Sequence, residues 1–405
     1  MKPVFTGFYF LMMVCFANAQ SWKEITRFSP QQTIQKIRFL TSELGYCVSS
    51  LYNGSTMNIH KTTNGGLSWT DQSSGYSGTR FMDIFILNEQ TAFMSGNDGL
   101  IIKTTDGGNK WVTKTTGTKE QLWGLHFLDD QTGFACGAYG MILKTEDGGE
   151  SWFSIPTGLN NLLYSICFVD DKKGFASGSN VLLRTDDGGD SWSAVKDFPF
   201  TPPADWIRRI KFVNSQVGYA CADIGRIYKT VDGGTKWTSL NSGVQEPLMD
   251  LDFADELTGV VVGFNGTILK TTDGGQSWTQ MPSPLGPEHL FSVDLVNQNS
   301  GFICTYLGRI LRNDELLSTV NIEDREFQLW QNQSTGIIEI RSNKQFDEKS
   351  IVFFSADGKK MNTELIGKTE FAVQYRVQGF PPGLYFARLT IDKKSNSLSF
   401  VVSQQ

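Results

Sequence analysis

The sequence predicts an all-β chain: a seven-bladed β-propeller followed by a small, immunoglobulin-like β-sandwich. Three observations predict it. A phrase ending in Trp recurs at Trp69, Trp111, Trp152, Trp192, Trp237 and Trp278, at intervals of 40 to 45 residues. Each interval holds four short apolar runs separated by turn residues, the content of one propeller blade. A seventh interval lacks its phrase, and a matching strand stands at the other end of the chain. A fixed period with β-type filler means a ring or a stack of repeats.

The first element is a targeting segment. Lys2 precedes a mostly apolar run over residues 5–16, and Ala17, Asn18 and Ala19 fit an Ala-x-Ala cleavage site before Gln20. The run is too short to span a bilayer, and no other stretch approaches about 18 apolar residues. Residues 1–19 are therefore expected to be a signal peptide that directs export. The propeller is expected over residues 20–320 and the sandwich over 321–405.

The blade ending at Trp278 illustrates the repeat. Residues 247–253 read as a strand, 260–263 as a second, 267–270 as a third and 277–281 as a fourth. Asn265 and Gly266 signal a two-residue hairpin between the middle pair. First strands fall at 33–39, 80–86, 121–127, 161–168, 206–212, 247–253 and 289–295. The last blade continues through Gly301-Phe302-Ile303-Cys304 and Gly308-Arg309-Ile310-Leu311, then stops. Ser21 and Trp22 copy Ser151 and Trp152, so the N-terminal strand is expected to close the ring and remove its exposed edges.

The repeated phrase resembles the Asp-box of bacterial neuraminidase repeats. The last copy reads Thr271-x-Asp273-x-Gly275-x-Ser277-Trp278, and Asp106, Asp147, Asp187 and Asp232 hold the same place; the first copy has Asn64. The side-chain oxygen can accept N–H bonds within its own turn, Gly permits positive φ, and Trp covers the blade edge. The resemblance implies structural residues on an outer turn, away from the ligand face.

The tail is read as short strands at 326–331, 337–340, 350–354, 371–375, 384–390 and 398–402. Its last 55 residues or so, with Asp357-Gly358-Lys359, Phe380-Pro381-Pro382-Gly383-Leu384-Tyr385 and Ser399-Phe400-Val401-Val402, resemble the C-terminal sorting domain of type IX secretion substrates. The Lys usual before the final strand is missing, where Leu398 and Ser399 stand. The resemblance implies the type IX machinery as a partner, passage across the outer membrane, and a secreted or cell-surface location.

Composition narrows the function. The 405 residues carry 36 basic and 42 acidic side chains, a net −6, and no basic block exceeds residues 208–211. Nucleic acid needs a concentrated basic surface and is not an expected partner. Five cysteines follow the leader: Cys47, Cys136, Cys167, Cys221 and Cys304. Cys136, Cys221 and Cys304 share one column with Val48, Ser95, Ser177 and Val262, a place for a small buried side chain. Only His60, His126 and His289 occur, in different blades, with no metal-ligand spacing. No cofactor, no metal and no transmembrane segment are expected.

Over residues 20–320 the chain resembles the single seven-bladed propellers of the photosystem II assembly/stability factor family. That resemblance implies fold, and fold does not carry function. The Arg-Ile-Pro phrase of sialidases is absent, and xyloglucan-cleaving relatives pair two propellers where this chain has one.

A candidate site comes from the inner strands. Aligned on Phe39, Ile86, Phe127, Phe168, Phe212, Phe253 and Leu295, the column four residues earlier holds Gln35, Met82, Trp123, Tyr164, Arg208, Met249 and Phe291. Its chemistry varies where neighbouring columns stay aliphatic. Trp123, Tyr164, Trp206, Arg208, Arg209 and Phe291 are expected to bind a protein or glycan, with the long 4–5 connection beside them. The competing expectation is that Trp123, Tyr164 and Phe291 only pack between blades. The alternative function is a glycoside hydrolase or lyase, for which Asp83 and Asp250 are the candidate carboxylates.

Overall fold

A computed structural model of the chain describes residues 22–28, 32–51, 57–72, 80–200, 205–297 and 300–314, then the strands between 327 and 402 with a few flanking positions. The leader at 1–19 lies outside the described residues. The chain divides into two compact units, Met1–Ser318 and Thr319–Gln405.

The first unit contains seven four-stranded antiparallel sheets, and no helix of the described residues is long and apolar enough to cross a membrane. Blade 3 shows the plan: Leu122–Phe127, Gly133–Gly137, Ile142–Thr145 and Phe153–Ile155 pair in that order. Each first strand touches the first strands of both neighbouring blades, and the strand of blade 7 touches that of blade 1, so the sheets form a ring. Boundaries differ from the sequence reading by a residue or two; the first strand of blade 4 begins at Leu163 rather than 161. The hairpin at Asn265 is a three-residue 3-10 turn, Phe264–Gly266, with Asn265 at φ 55°.

The ring is joined at blade 7. Lys23–Arg27 pairs antiparallel with Arg309–Asn313, Lys23 opposite Arg312 and Arg27 opposite Arg309. Trp22 is 2% exposed and packs with Val260, Val262, Leu290, Val293 and Leu311. It fills the place that the phrase's Trp fills in the other blades.

Second strands such as Gly133–Gly137 and Gly259–Gly263 are buried along their whole length, as expected for strands covered on both faces. Aromatic rings then link blade to blade. Phe302 stacks on Phe39 at 3.6 Å, Phe93 on Phe127 at 4.0 Å, and Tyr219 on Phe253 at 3.9 Å. In blades 1, 3, 4, 5 and 6 the phrase's Trp meets that first-strand Phe edge-on, as Trp152 meets Phe127 at 5.8 Å; in blade 2, where Ile86 takes the place, Trp111 meets Tyr46. Gly opposite that Phe is a space requirement: a Cβ on Gly259 would lie 2.4 Å from Phe253.

The outer turns are stapled by their own side chains. Asp187 Oδ1 accepts from Thr185 Oγ1 at 2.7 Å and from the Ser191 amide at 3.0 Å. Asp106, Asp147, Asp232 and Asp273 make the same pattern, and Asn64 Oδ1 makes it in blade 1. Hydrogen bonds from Ser151 and Ser191 hold the Asp147 and Asp187 carboxyls down at about 2. The five cysteines are free and buried, and burial pushes their thiols up.

The second unit holds two four-stranded sheets. One orders Phe327–Asn332, Ile337–Ser342, Ala372–Arg376 and Glu364–Lys368; the other orders Lys360–Met361, Ile351–Ser355, Gly383–Ile391 and Lys394–Val402. Phe353 of one sheet meets Tyr375 of the other at 5.0 Å. The strands Lys360–Met361 and Glu364–Lys368 are absent from the sequence reading. Their burial pattern is mostly exposed, so they carry no apolar alternation to read.

Candidate functional site

Every first strand carries a β-bulge at the same place. The register shifts between Ile34 and Lys36, Phe81 and Asp83, Leu122 and Gly124, Leu163 and Ser165, Ile207 and Arg209, Leu248 and Asp250, and Leu290 and Ser292. The residues left without a ladder partner are Gln35, Met82, Trp123, Tyr164, Arg208, Met249 and Phe291, the variable column of the sequence. A bulge re-aims its extra side chain. Here all seven are half-buried and line one cavity of about 440 Å³, where the inner strands begin.

The aromatic side of this mouth is preorganised. Trp123 and Tyr164 lie 5.3 Å apart across the blade 3–4 boundary. The Arg208 guanidinium sits between Tyr164 and Trp206, 4.8 and 4.9 Å from the two rings. Asp223 holds it there, accepting from Nε at 2.9 Å and Nη2 at 3.2 Å. Trp206 is 38% exposed at the rim. Its neighbour Asp205 is buried and tied to the Tyr228 hydroxyl and to Arg226, which fixes the end of the 4–5 connection. Residues 201–204 of that connection lie outside the described residues. Phe291 faces Tyr306 at 5.8 Å. The structure thus brings Trp123, Tyr164, Arg208 and Phe291 to one cavity, with Trp206 beside it.

Arg209 is placed differently from Arg208. It reaches across the channel to Asp83 (3.5 Å) and Asp250 (3.5 Å), while Lys36 Nζ lies 2.9 Å from Asp250 and 4.0 Å from Asp83. This network is the floor of the mouth. All four oxygens of the two candidate carboxylates are engaged. Asp83 also accepts the amides of Ile84 and Leu125; Asp250 accepts those of Leu251 and Val293 and the Ser292 hydroxyl at 2.6 Å. Burial alone would raise the Asp250 carboxyl, but Lys36, Arg38 and Arg209 hold it well below the carboxylate range.

Among the described residues the lining contains Lys36, Arg80, Arg208 and Arg209 and no acidic side chain. Arg80 is exposed and has no ion-pair partner among the described residues. Lys36 and Arg209 are balanced by Asp83 and Asp250, and Arg208 by Asp223, which leaves Arg80 as the uncompensated charge of the mouth among the described residues.

The opposite end of the channel differs. A smaller cavity, about 260 Å³, is lined by Arg38, Phe85, His126, Lys211, Asp252 and Asp294 among others. Its charges compensate internally: Lys211 pairs with Asp252, and Arg38 with Asp294 at 3.4 Å. Burial, helped by Arg209, pushes the His126 imidazole down to about 4. Among the described residues no group of three His, Cys, Asp or Glu side chains could hold a metal.

Asp223 was missed by sequence reasoning, and so were the hairpin tips at Tyr139 and Ile224. For Tyr139 and Ile224 the available signal was the repeat itself, because they stand where blades 2, 4 and 6 have Asp98, Asn180 and Asn265; the column of Asp223 holds Asn97, Ala138, Ser179 and Phe264 and gives no such signal.

These features define a closed seven-bladed propeller of the Asp-box type, with a built mouth on one end of its channel. Residues 109–246 and 235–313 match the family described as photosynthesis system II assembly factor YCF48, and the chain belongs to that family. Solved propellers share the fold. A structure of YCF48 bound to D1 peptide is 18% identical, covers 74% of this chain and 97% of that chain, and gives a TM-score of 0.61. YCF48 from Cyanidioschyzon merolae is 18% identical, with coverage of 72% and 98% and a TM-score of 0.58. The WD40 propeller domain of Doa1 is 13% identical, with coverage of 72% and 96% and a TM-score of 0.58. No curated protein matches the chain.

Proposed function

We propose that this protein is an exported binding module whose propeller takes an extended polypeptide segment across its bulged mouth. One observation carries the reading: seven inner-strand bulges aim seven side chains of six kinds into one cavity. Bulges serve ring geometry whatever their side chains are; the variety of those side chains serves recognition. A lining of Trp, Tyr, Phe, Met and Arg suits apolar side chains beside acidic ones. The D1 peptide held by a YCF48 relative supports a polypeptide over a glycan. A glycoside hydrolase or lyase is less well supported, because Asp83 and Asp250 are neutralised by Lys36 and Arg209 and lie under the lining.

The leader at 1–19 and the sorting-type motifs at the C-terminus support delivery by type IX secretion, to the medium or the cell surface. In this reading the tail unit is a sandwich that engages the secretion machinery. A reporter fused to residues 321–405 behind the leader tests it: the reporter should cross the outer membrane in a host with that machinery and stay periplasmic without it. Binding is tested with the purified chain on arrays of short synthetic peptides and of glycans. Acidic peptides with apolar flanks should bind, and Arg208→Ala should weaken them about tenfold. Binding to glycans alone would overturn the polypeptide reading.

A further inference from the structure

The hairpins between second and third strands stand around the mouth. The Ala138 amide donates to the carbonyl of Gln121, a lining residue, and the Asp223 amide to that of Trp206. Five tips hold one non-glycine residue in the left-handed region: Asp98, Tyr139, Asn180, Ile224 and Asn265, at φ 54° to 58°. Blades 2, 4 and 6 use Asp or Asn there, the residues that tolerate this conformation. Blades 3 and 5 use Tyr and Ile. A β-branched residue in this region is a genuine outlier.

Burial does not compensate. Tyr139 is 62% exposed and Ile224 is 43% exposed. Tyr139 makes no hydrogen bond or ring contact in the described structure. Folding therefore favours Asn at both positions and does not explain what stands there. Strain of this kind gathers at ligand-contact positions. With Trp206, the two tips place three exposed apolar side chains along the rim of blades 3 to 5, beside the mouth.

Resting on the reading of the mouth as a polypeptide site, we propose that Tyr139 and Ile224 are ligand-contact residues. They select bulky apolar side chains in the flank of an extended polypeptide whose acidic portion lies in the mouth. Charge sets the direction: Arg80, in the lining and without an ion-pair partner among the described residues, is the cation open to an acid, while Tyr139, Trp206 and Ile224 offer exposed apolar surface on the rim of blades 3 to 5.

The test is the double variant Tyr139→Asn with Ile224→Asn in the full chain. Thermal unfolding and binding are measured on arrays of acidic peptides whose flanking Leu or Phe is kept or changed to Ala. The proposal expects a higher melting temperature together with about tenfold weaker binding to the Leu and Phe peptides, which fall to the level of the Ala peptides. A higher melting temperature with affinity and flank preference unchanged overturns it. Trp123→Ala and Arg208→Ala run beside it. If they abolish binding while the tip variant does not, only the tip assignment fails. If no variant changes binding, or no peptide binds, the mouth reading fails and takes this proposal with it.

Discussion

At the outer turn of each blade the residues repeat, and at the inner bulge they do not. Six turns carry Thr, Asp or Asn, Gly and Trp in the same places, and six side-chain oxygens accept the same amides. The bulges share a geometry equally well, seven register shifts at one position, yet present Gln, Met, Trp, Tyr, Arg, Met and Phe. Both are backbone devices. At the turn the side chain is the device, so its identity is fixed. At the bulge the backbone is the device, so the side chain is free to vary.

Blade 7 breaks this division and gives the largest expected effect. Its sequence lacks the turn phrase after Asn313, and its fourth strand is Lys23–Arg27. Trp22→Ala should cost about 3–5 kcal/mol, a large side chain removed from a closed core. Deleting residues 22–27 should also leave Arg309–Asn313 as an open edge. Removing Thr319–Gln405 should barely move the melting of the propeller. Calorimetry of the three chains decides; a tail deletion more harmful than Trp22→Ala would mean that the ring is held elsewhere.

The mouth comes next. Trp123→Ala should weaken peptide binding by about 2 kcal/mol while changing unfolding by less than about 1 kcal/mol. The reverse pattern in titration calorimetry and denaturant unfolding would make Trp123 an inter-blade packing residue. At the outer turn the expectation inverts. Asp187→Ala loses a stapled amide and two hydroxyl donors, at about 1 kcal/mol, and leaves binding unchanged.

Much of this comparison was legible in the sequence, for a physical reason. Periodicity reports which residues share a column, so blade number, outer turns and the variable inner column could all be read. It does not report which columns meet across the ring. Lys36 and Asp250 are 214 residues apart and Arg209 and Asp83 are 126 apart, yet they form one floor. Arg208 and Arg209, adjacent and alike, therefore read as one pair, although the bulge turns Arg208 to the aromatic rim and leaves Arg209 on the acids below. Asp223 was hidden in the same way, since nothing in a turn residue announces that it faces a guanidinium of the blade's first strand.

The smallest effect is in acid, and it separates charge from geometry at the outer turn. The Asp147 and Asp187 carboxyls are held near 2, below the 3.8 of a free aspartate. A depressed folded value means that the unfolded chain binds protons first. The stabilisation is complete above about pH 4 and is lost as pH falls toward 2. Both groups are exposed, so each contributes under about 1 kcal/mol after solvent screening. Asn64 shows that an amide oxygen keeps the turn without a charge, accepting the Ser68 amide at 3.0 Å. The double variant Asp147→Asn with Asp187→Asn should therefore melt slightly lower than the parent at pH 5 and converge with it at pH 2. Parallel acid limbs in the two melting profiles would show that the charge of these turns contributes nothing, and that the staple acts through geometry alone.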